Sequence, residues 1–176
     1  GIKKKNFNIL KKQDVKLIIN PGTEIINTEV QEAEVIIDAI LGTGLKGNVR
    51  GKYRDAIEII NSSNKIVVSI DIPSGINGNT GQIMGNAVIS NYTITFGLPK
   101  TGNLNYPGFD NCGKLFVSHI SFPPQLYEDK SINIEINQPL SIPPRESDSH
   151  KGSYGKVLFI SGCPEYMGAP YFSSLS

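Results

Sequence analysis

The sequence predicts an α/β fold, a Rossmann-like three-layer sandwich on a mostly parallel sheet. Three observations carry this. Val35-Ile36-Ile37-Asp38-Ala39-Ile40-Leu41 is almost continuously apolar, the pattern of a strand buried on both faces of a parallel sheet. A glycine-rich loop and an amphipathic helix follow it. Lys65-Ile66-Val67-Val68-Ser69-Ile70-Asp71 then makes a second apolar run. Strand, loop, helix and strand within about 35 residues form a βαβ unit with a right-handed crossover.

The elements read in order as follows. Val15-Lys16-Leu17-Ile18-Ile19 is a short β-branched run stopped by Asn20-Pro21-Gly22, a strand and a turn. The helix runs from about Lys52 to Asn61, with Tyr53, Ala56, Ile57 and Ile60 spaced along one apolar face. Ile72-Pro73-Ser74-Gly75 stops the strand that ends at Asp71. Tyr92 to Gly97 and Lys114 to Ile120 are two further strands. Composition changes at Phe122-Pro123-Pro124 and at Pro143-Pro144, and Lys156 to Gly162 reads as a new strand. The expected organisation is a first domain over 1–122, a linker over 123–144, and the opening of a second α/β domain over 145–176.

Composition narrows the function. The 176 residues carry 17 Lys and Arg against 16 Asp and Glu, a formal net charge of +1, so nucleic-acid binding driven by bulk charge is not expected. No apolar run approaches the roughly 20 residues of a membrane helix, and no signal peptide is evident. Two cysteines, Cys112 and Cys163, build neither a disulfide framework nor a zinc site by themselves. A cytoplasmic setting is expected. The opening on Gly1 without methionine and the close at Ser176 without a structural stop read as the ends of a fragment.

Five places can carry chemistry. Gly42-Thr43-Gly44-Leu45-Lys46-Gly47 matches G-x-G-x-x-G after a strand, where open α/β sheets bind ligands and free N–H groups hold phosphate oxygens. Asn48-Val49-Arg50-Gly51 delays the helix that a dinucleotide fingerprint opens at once, so a glycine-requiring turn is the plain alternative. Asp71, at a strand end, suits binding a ribose hydroxyl or moving protons; the alternative is a turn aspartate before Pro73. Asp38 interrupts an apolar strand, and a buried carboxylate is costly unless paired, hydrogen-bonded or bound to a cation. Ser74 offers a hydroxyl to a hard cation or serves as a turn serine. Lys100, past the strand at Phe96-Gly97, reads as a phosphate contact or a solvated loop lysine. His119 falls on a strand without a catalytic partner and is assigned no role.

Taken in order, Asp38-Ala39-Ile40-Leu41-Gly42-Thr43-Gly44-Leu45, Asp71-Ile72-Pro73-Ser74-Gly75-Ile76-Asn77, Thr80-Gly81, Thr93-Ile94-Thr95-Phe96-Gly97 with Lys100, and Tyr106-Pro107-Gly108 resemble the YjeF N-terminal domain. That family is the NAD(P)H-hydrate epimerases, and the resemblance runs roughly from Val15 to Pro123. A second stretch, Ser149-His150-Lys151-Gly152-Ser153-Tyr154-Gly155-Lys156-Val157-Leu158 with Met167-Gly168-Ala169-Pro170, is similar to the opening of the ADP- or ATP-dependent NAD(P)H-hydrate dehydratase domain, which is ribokinase-like. The two in this order resemble the bifunctional NAD(P)H-hydrate repair enzymes.

The resemblance implies roles for particular residues. Gly42, Thr43, Gly44, Leu45, Lys46, Gly47 and Asn48 contact the hydrated dinucleotide NAD(P)HX. Asp71 binds it and assists proton transfer. Asp38 and Ser74 hold potassium, and Ala169 touches substrate in the dehydratase half, which uses ADP or ATP. The implied function is epimerisation of R and S forms of NAD(P)HX, coupled to dehydration back to NAD(P)H; a homo-oligomer is compatible with it. The Asn-Asn-Gly-Gly-Asp-Gly loop of the epimerase family and most of the dehydratase domain are absent from the sequence. The competing expectation is a non-catalytic YjeF-type module that binds a nucleotide or a partner; the presence of both Asp38 and Asp71 favours the enzyme.

Overall fold

Four strands lie side by side in chain order: β1 (Val35–Asp38), β2 (Ile66–Ile70), β3 (Tyr92–Phe96) and β4 (Lys114–Ser118). Every adjacent pair is parallel, so the fold is the Rossmann-like α/β sheet that the βαβ pattern predicts. The structure, a computed structural model, describes residues 2–132, 134–137, 144, 146–150, 152–156, 158–165 and 168–175. The chain divides into two compact units, Gly1–Asp129 and Lys130–Ser176.

In the first unit, α1 (Ile2–Leu10) and α2 (Thr23–Glu32) precede β1, and α3 (Lys52–Ser62) crosses from β1 to β2. Two short helices, α4 (Thr101–Leu104) and α5 (Gly108–Cys112), connect β3 to β4. The core forms where Val30 of α2 and Ile57 and Ile60 of α3 meet Val67 of β2, with Val49 and Val88 completing it. Burial of a side chain such as Ile57, which is 0% exposed, contributes about 1.5–3 kcal/mol. Tyr53, expected on the same helical face, is exposed.

Alternation along the strands separates two unlike faces. Val67 and Ser69 of β2 and Thr93 and Thr95 of β3 point to the buried side. Val35, Ile37, Ile66, Tyr92 and Phe116 lie exposed on the opposite side. The expectation that Val35–Leu41 is buried on both faces therefore fails. The strand ends at Asp38; Ile36 packs against the cluster around Val67, while Val35 and Ile37 are exposed on the other face.

Two other expectations change, and one helix is added. The run 15–19 is exposed and forms no strand, because β-branched propensity needs a neighbouring ladder to act on. Helix α2 was not evident in the sequence, although Ile26 and Val30 are spaced for one face and Val30 is buried. His119 lies just beyond β4 instead of on it, with Nδ1 3.0 Å from the Tyr127 hydroxyl.

The second unit contains α6 (Gly168–Leu175). The expected strand at Lys156–Gly162 is not formed by residues 158–162, where Leu158 and Ile160 are exposed; the described residues of this unit offer it no ladder. Val157, Met167 and Lys151 lie outside the described residues. Ala169 is on α6, and its side chain lies outside them too.

Candidate functional site

The carboxyl ends of β1, β2 and β3 bring the sequence-predicted residues together. Pairing sets Asp38 opposite Ser69, and Ser69 opposite Thr93, so one row across the sheet is polar and buried. Asp38 is 1% exposed. Its Oδ2 accepts from the Ser69 hydroxyl at 2.7 Å and the Ser74 N–H at 2.8 Å. Its Oδ1 accepts from the Ser74 hydroxyl at 2.6 Å and the Ile40 N–H at 3.3 Å. Four donors therefore offset the cost of burying the charge. Ser69 continues the chain to Ser90, with the hydroxyl oxygens 2.5 Å apart.

Ser74 also accepts from the Leu41 N–H at 2.8 Å, and its Oγ lies 3.2 Å from the Leu41 carbonyl oxygen. Asp38, Ser74 and Leu41 thus present only oxygen ligands, a donor set whose chemistry fits a hard cation. Among the described residues no group of three His, Cys, Asp or Glu side chains gathers to hold a metal.

The glycine-rich loop is anchored at both ends. Leu41 bonds to Ser74, and the Val49 N–H donates to the Met84 carbonyl at 2.8 Å. Between them Gly42, Thr43, Gly44, Lys46, Gly47 and Asn48 are exposed. Their backbone N–H groups donate no hydrogen bond among the described residues, so they are free to meet an anion. Gly47 adopts φ +90°, a conformation that explains glycine there on backbone grounds. The space around Gly42 and Gly44 is open, so their small size has no packing reason within the described residues. Helix α3 opens only at Lys52, as the intervening Asn48–Gly51 suggests.

Asp71 stands directly after β2 with φ +72°, a region that aspartate enters at a cost. Its N–H donates to the Ile94 carbonyl at 2.8 Å, and its carbonyl accepts from the Asn103 amide at 3.3 Å. Oδ1 accepts from the Phe96 N–H at 3.1 Å, the Thr95 hydroxyl at 3.2 Å and the Lys100 ammonium. Oδ2 receives no hydrogen bond among the described residues, and the side chain is 26% exposed. One carboxylate oxygen is held while the other faces solvent.

The loop and Asp71 are linked through glycine contacts. Thr43 packs on Gly78, whose carbonyl accepts from the Gly102 N–H at 2.8 Å, and Gly102 follows Lys100 by two residues. Thr95, Asn103 and Ser69 complete the site and were not singled out in the sequence. Their signal was present: Thr93 and Thr95 alternate with Tyr92, Ile94 and Phe96, which marks a polar face inside a strand. Cys112 is buried beneath Asn103 and Thr93; burial pushes its thiol up, and hydrogen bonds from those two side chains draw it partly back.

The sequence comparisons place this chain in a known family. The family profile described as YjeF-related protein N-terminus matches residues 1–102. The chain belongs to this family. It is 47% identical over 178 residues to the bifunctional NAD(P)H-hydrate repair enzyme of Thermofilum pendens, covering 100% of this chain and 34% of that relative. It is 42% identical over 147 residues to the enzyme of the same name from Hyperthermus butylicus, covering 82% of this chain and 26% of the relative. The Moorella thermoacetica enzyme of that name is 33% identical over 176 residues, covering 96% of this chain and 33% of the relative. The chain spans about a quarter to a third of the length of the curated relatives it matches. Within the YjeF-related region fall Asp38, the Gly42–Asn48 loop, Asp71, Ser74 and Lys100, while Ala169 lies beyond it.

Proposed function

We propose that the first unit epimerises the R and S forms of NAD(P)HX, in a protein that also returns the S form to NAD(P)H by ADP- or ATP-dependent dehydration. The observation that supports this most directly is the divided carboxylate of Asp71, with Oδ1 clamped and Oδ2 open. Inverting the carbon that bears the hydroxyl needs that hydroxyl to leave and return or the ring to open and close. Either route needs a proton donor and acceptor, and the first is taken here. Oδ2 of Asp71 passes a proton to the departing oxygen, which leaves as water as the ring nitrogen's electron pair forms the iminium. Water then adds to the other face and returns a proton to the carboxylate. Acid and base are the same group, which suits a reaction run in both directions.

The free N–H groups of Gly42 to Asn48 hold the pyrophosphate, with Lys46 adding positive charge at the loop. Asp38 and Ser74 hold potassium, which when bound supplies charge balance beside the Asp71–Ser74 turn. The second unit opens the dehydratase domain and brings Ala169 to that domain's substrate. Among the described residues no helix is long and apolar enough to cross a membrane.

The test supplies a single purified epimer of NADPHX to the full-length protein, with and without potassium, and follows the other epimer by chromatography. Equilibration faster than the spontaneous rate, quickened by potassium, is expected. No acceleration by folded protein on intact substrate would overturn the epimerase reading and leave a nucleotide- or partner-binding module.

A further inference from the structure

Lys100 is the only cation bonded to Asp71 among the described residues, and its hydrogen bonds are directed inward. An ammonium has three donors. These go to Asp71 Oδ1, to the Thr95 hydroxyl at 3.1 Å and to the Phe96 carbonyl at 3.0 Å. No donor remains for a substrate phosphate, and the side chain is 23% exposed. Lys100 is thus neither the solvated lysine nor the phosphate contact that its sequence position suggests.

The bonds form a closed set. Thr95, 0% exposed, accepts from Lys100 and donates to Asp71 Oδ1. Phe96 accepts from Lys100 through its carbonyl and donates to Asp71 Oδ1 through its N–H. The Lys100 backbone is fixed as well, because its N–H donates to Asn103 Oδ1 at 2.8 Å, and Asn103 in turn donates to the Asp71 carbonyl. Every acceptor site of Oδ1 is engaged, and Oδ2 is left alone.

We propose that Lys100 is a positioning residue, which with Thr95 locks the Asp71 carboxylate so that Oδ2 alone addresses the reacting oxygen. The proposal rests on Asp71 as the proton-transferring group. A carboxylate free to rotate presents either oxygen in many orientations, and misplacement by about 1 Å costs on the order of 100-fold in rate. Substrate binding, carried by the Gly42–Asn48 loop, does not pass through Lys100.

Lys100→Met in the full-length protein therefore lowers kcat for NADPHX epimerisation by about 100-fold while KM stays within about 2-fold. Lys100→Ala regains part of its kcat when propylammonium is added, a response that a general loosening of the fold does not give. If the methionine variant does not fold, Lys100→Gln, which keeps a donor at the clamp, gives an intermediate kcat at unchanged KM. Asp71→Asn is measured alongside, and adding Lys100→Met to it slows it no further. Unchanged kcat in Lys100→Met, or a loss confined to KM, overturns the positioning role while leaving Asp71 in place. Full activity in Asp71→Asn removes the reading on which both depend.

Discussion

Ser74 grips both oxygens of the Asp38 carboxylate, its N–H on Oδ2 at 2.8 Å and its hydroxyl on Oδ1 at 2.6 Å. The same hydroxyl accepts from the Leu41 N–H, the residue that launches the glycine-rich loop. One small side chain therefore couples a buried charge to the position of the loop. Ser74→Ala strips a charge-assisted bond from Asp38 and leaves the Leu41 N–H unpaired, a loss of about 2–3 kcal/mol. Amide hydrogen exchange at Leu41 speeds by at least about tenfold, the factor that 1.4 kcal/mol of local opening corresponds to. Unchanged protection at Leu41 would show that the loop is held some other way.

Asp71 separates activity from stability. Its φ of +72° is one that asparagine tolerates better than most residues. The amide oxygen of Asp71→Asn can still accept from Phe96, Thr95 and Lys100. The variant is expected within about 1 kcal/mol of the parent in denaturant unfolding, since surface-accessible isosteric changes seldom exceed that. Epimerisation falls by about 100- to 10,000-fold, the usual contribution of a general acid–base group. A large loss of stability would mean that the carboxylate is chiefly a structural partner of Lys100.

The architecture was largely legible in the sequence, and the site partly so. Long apolar runs and one amphipathic helix fixed the parallel order of β1 and β2 around α3. They misjudged burial, because an apolar run records the layers a strand can accept, and here only the Val67 side is covered. Asp38 was conspicuous as a charge inside an apolar strand, and its four donors account for it. Lys100 was not legible, since a lysine's fate depends on acceptors brought by β3 and by Asp71 from elsewhere in the chain. The apolar stretches 15–19 and 158–162 failed as strands because propensity without a pairing partner does not make a ladder.

Glycines of this fold divide into two kinds that substitution can tell apart. A Cβ on Gly102 would lie 2.3 Å from the Asn77 carbonyl oxygen, and one on Gly108 would lie 2.2 Å from the Gly102 carbonyl oxygen. Gly102→Ala thus forces backbone apart and destabilises by about 1–3 kcal/mol or more. Gly42 and Gly44 have open space where a Cβ would go, so alanine there leaves the unfolding midpoint unchanged. If the loop holds a pyrophosphate by close backbone approach, Gly42→Ala and Gly44→Ala raise KM for NADPHX at unaltered stability. Equal KM values in all three proteins would detach the loop from substrate binding.

Cys112 gives the protein an alkaline limit. Its thiol is buried and pushed above the ordinary value of 9.0, so the folded state resists losing the proton. Well below pH 9 both states keep the thiol protonated and the full contribution is present. As pH rises past that value, the unfolded chain releases the proton while the folded chain does not, and stability declines until the folded group also titrates. Unfolding experiments between pH 8 and pH 11 (a window of about 3 units around the unfolded value) are expected to show this decline, and Cys112→Ala to flatten it. In the native protein at pH 8, a thiol reagent labels the exposed Cys163 and spares Cys112 until denaturant is added. Rapid native labelling of both thiols would contradict the burial that raises Cys112, and with it the packing of Asn103 and Thr93 over that sulfur.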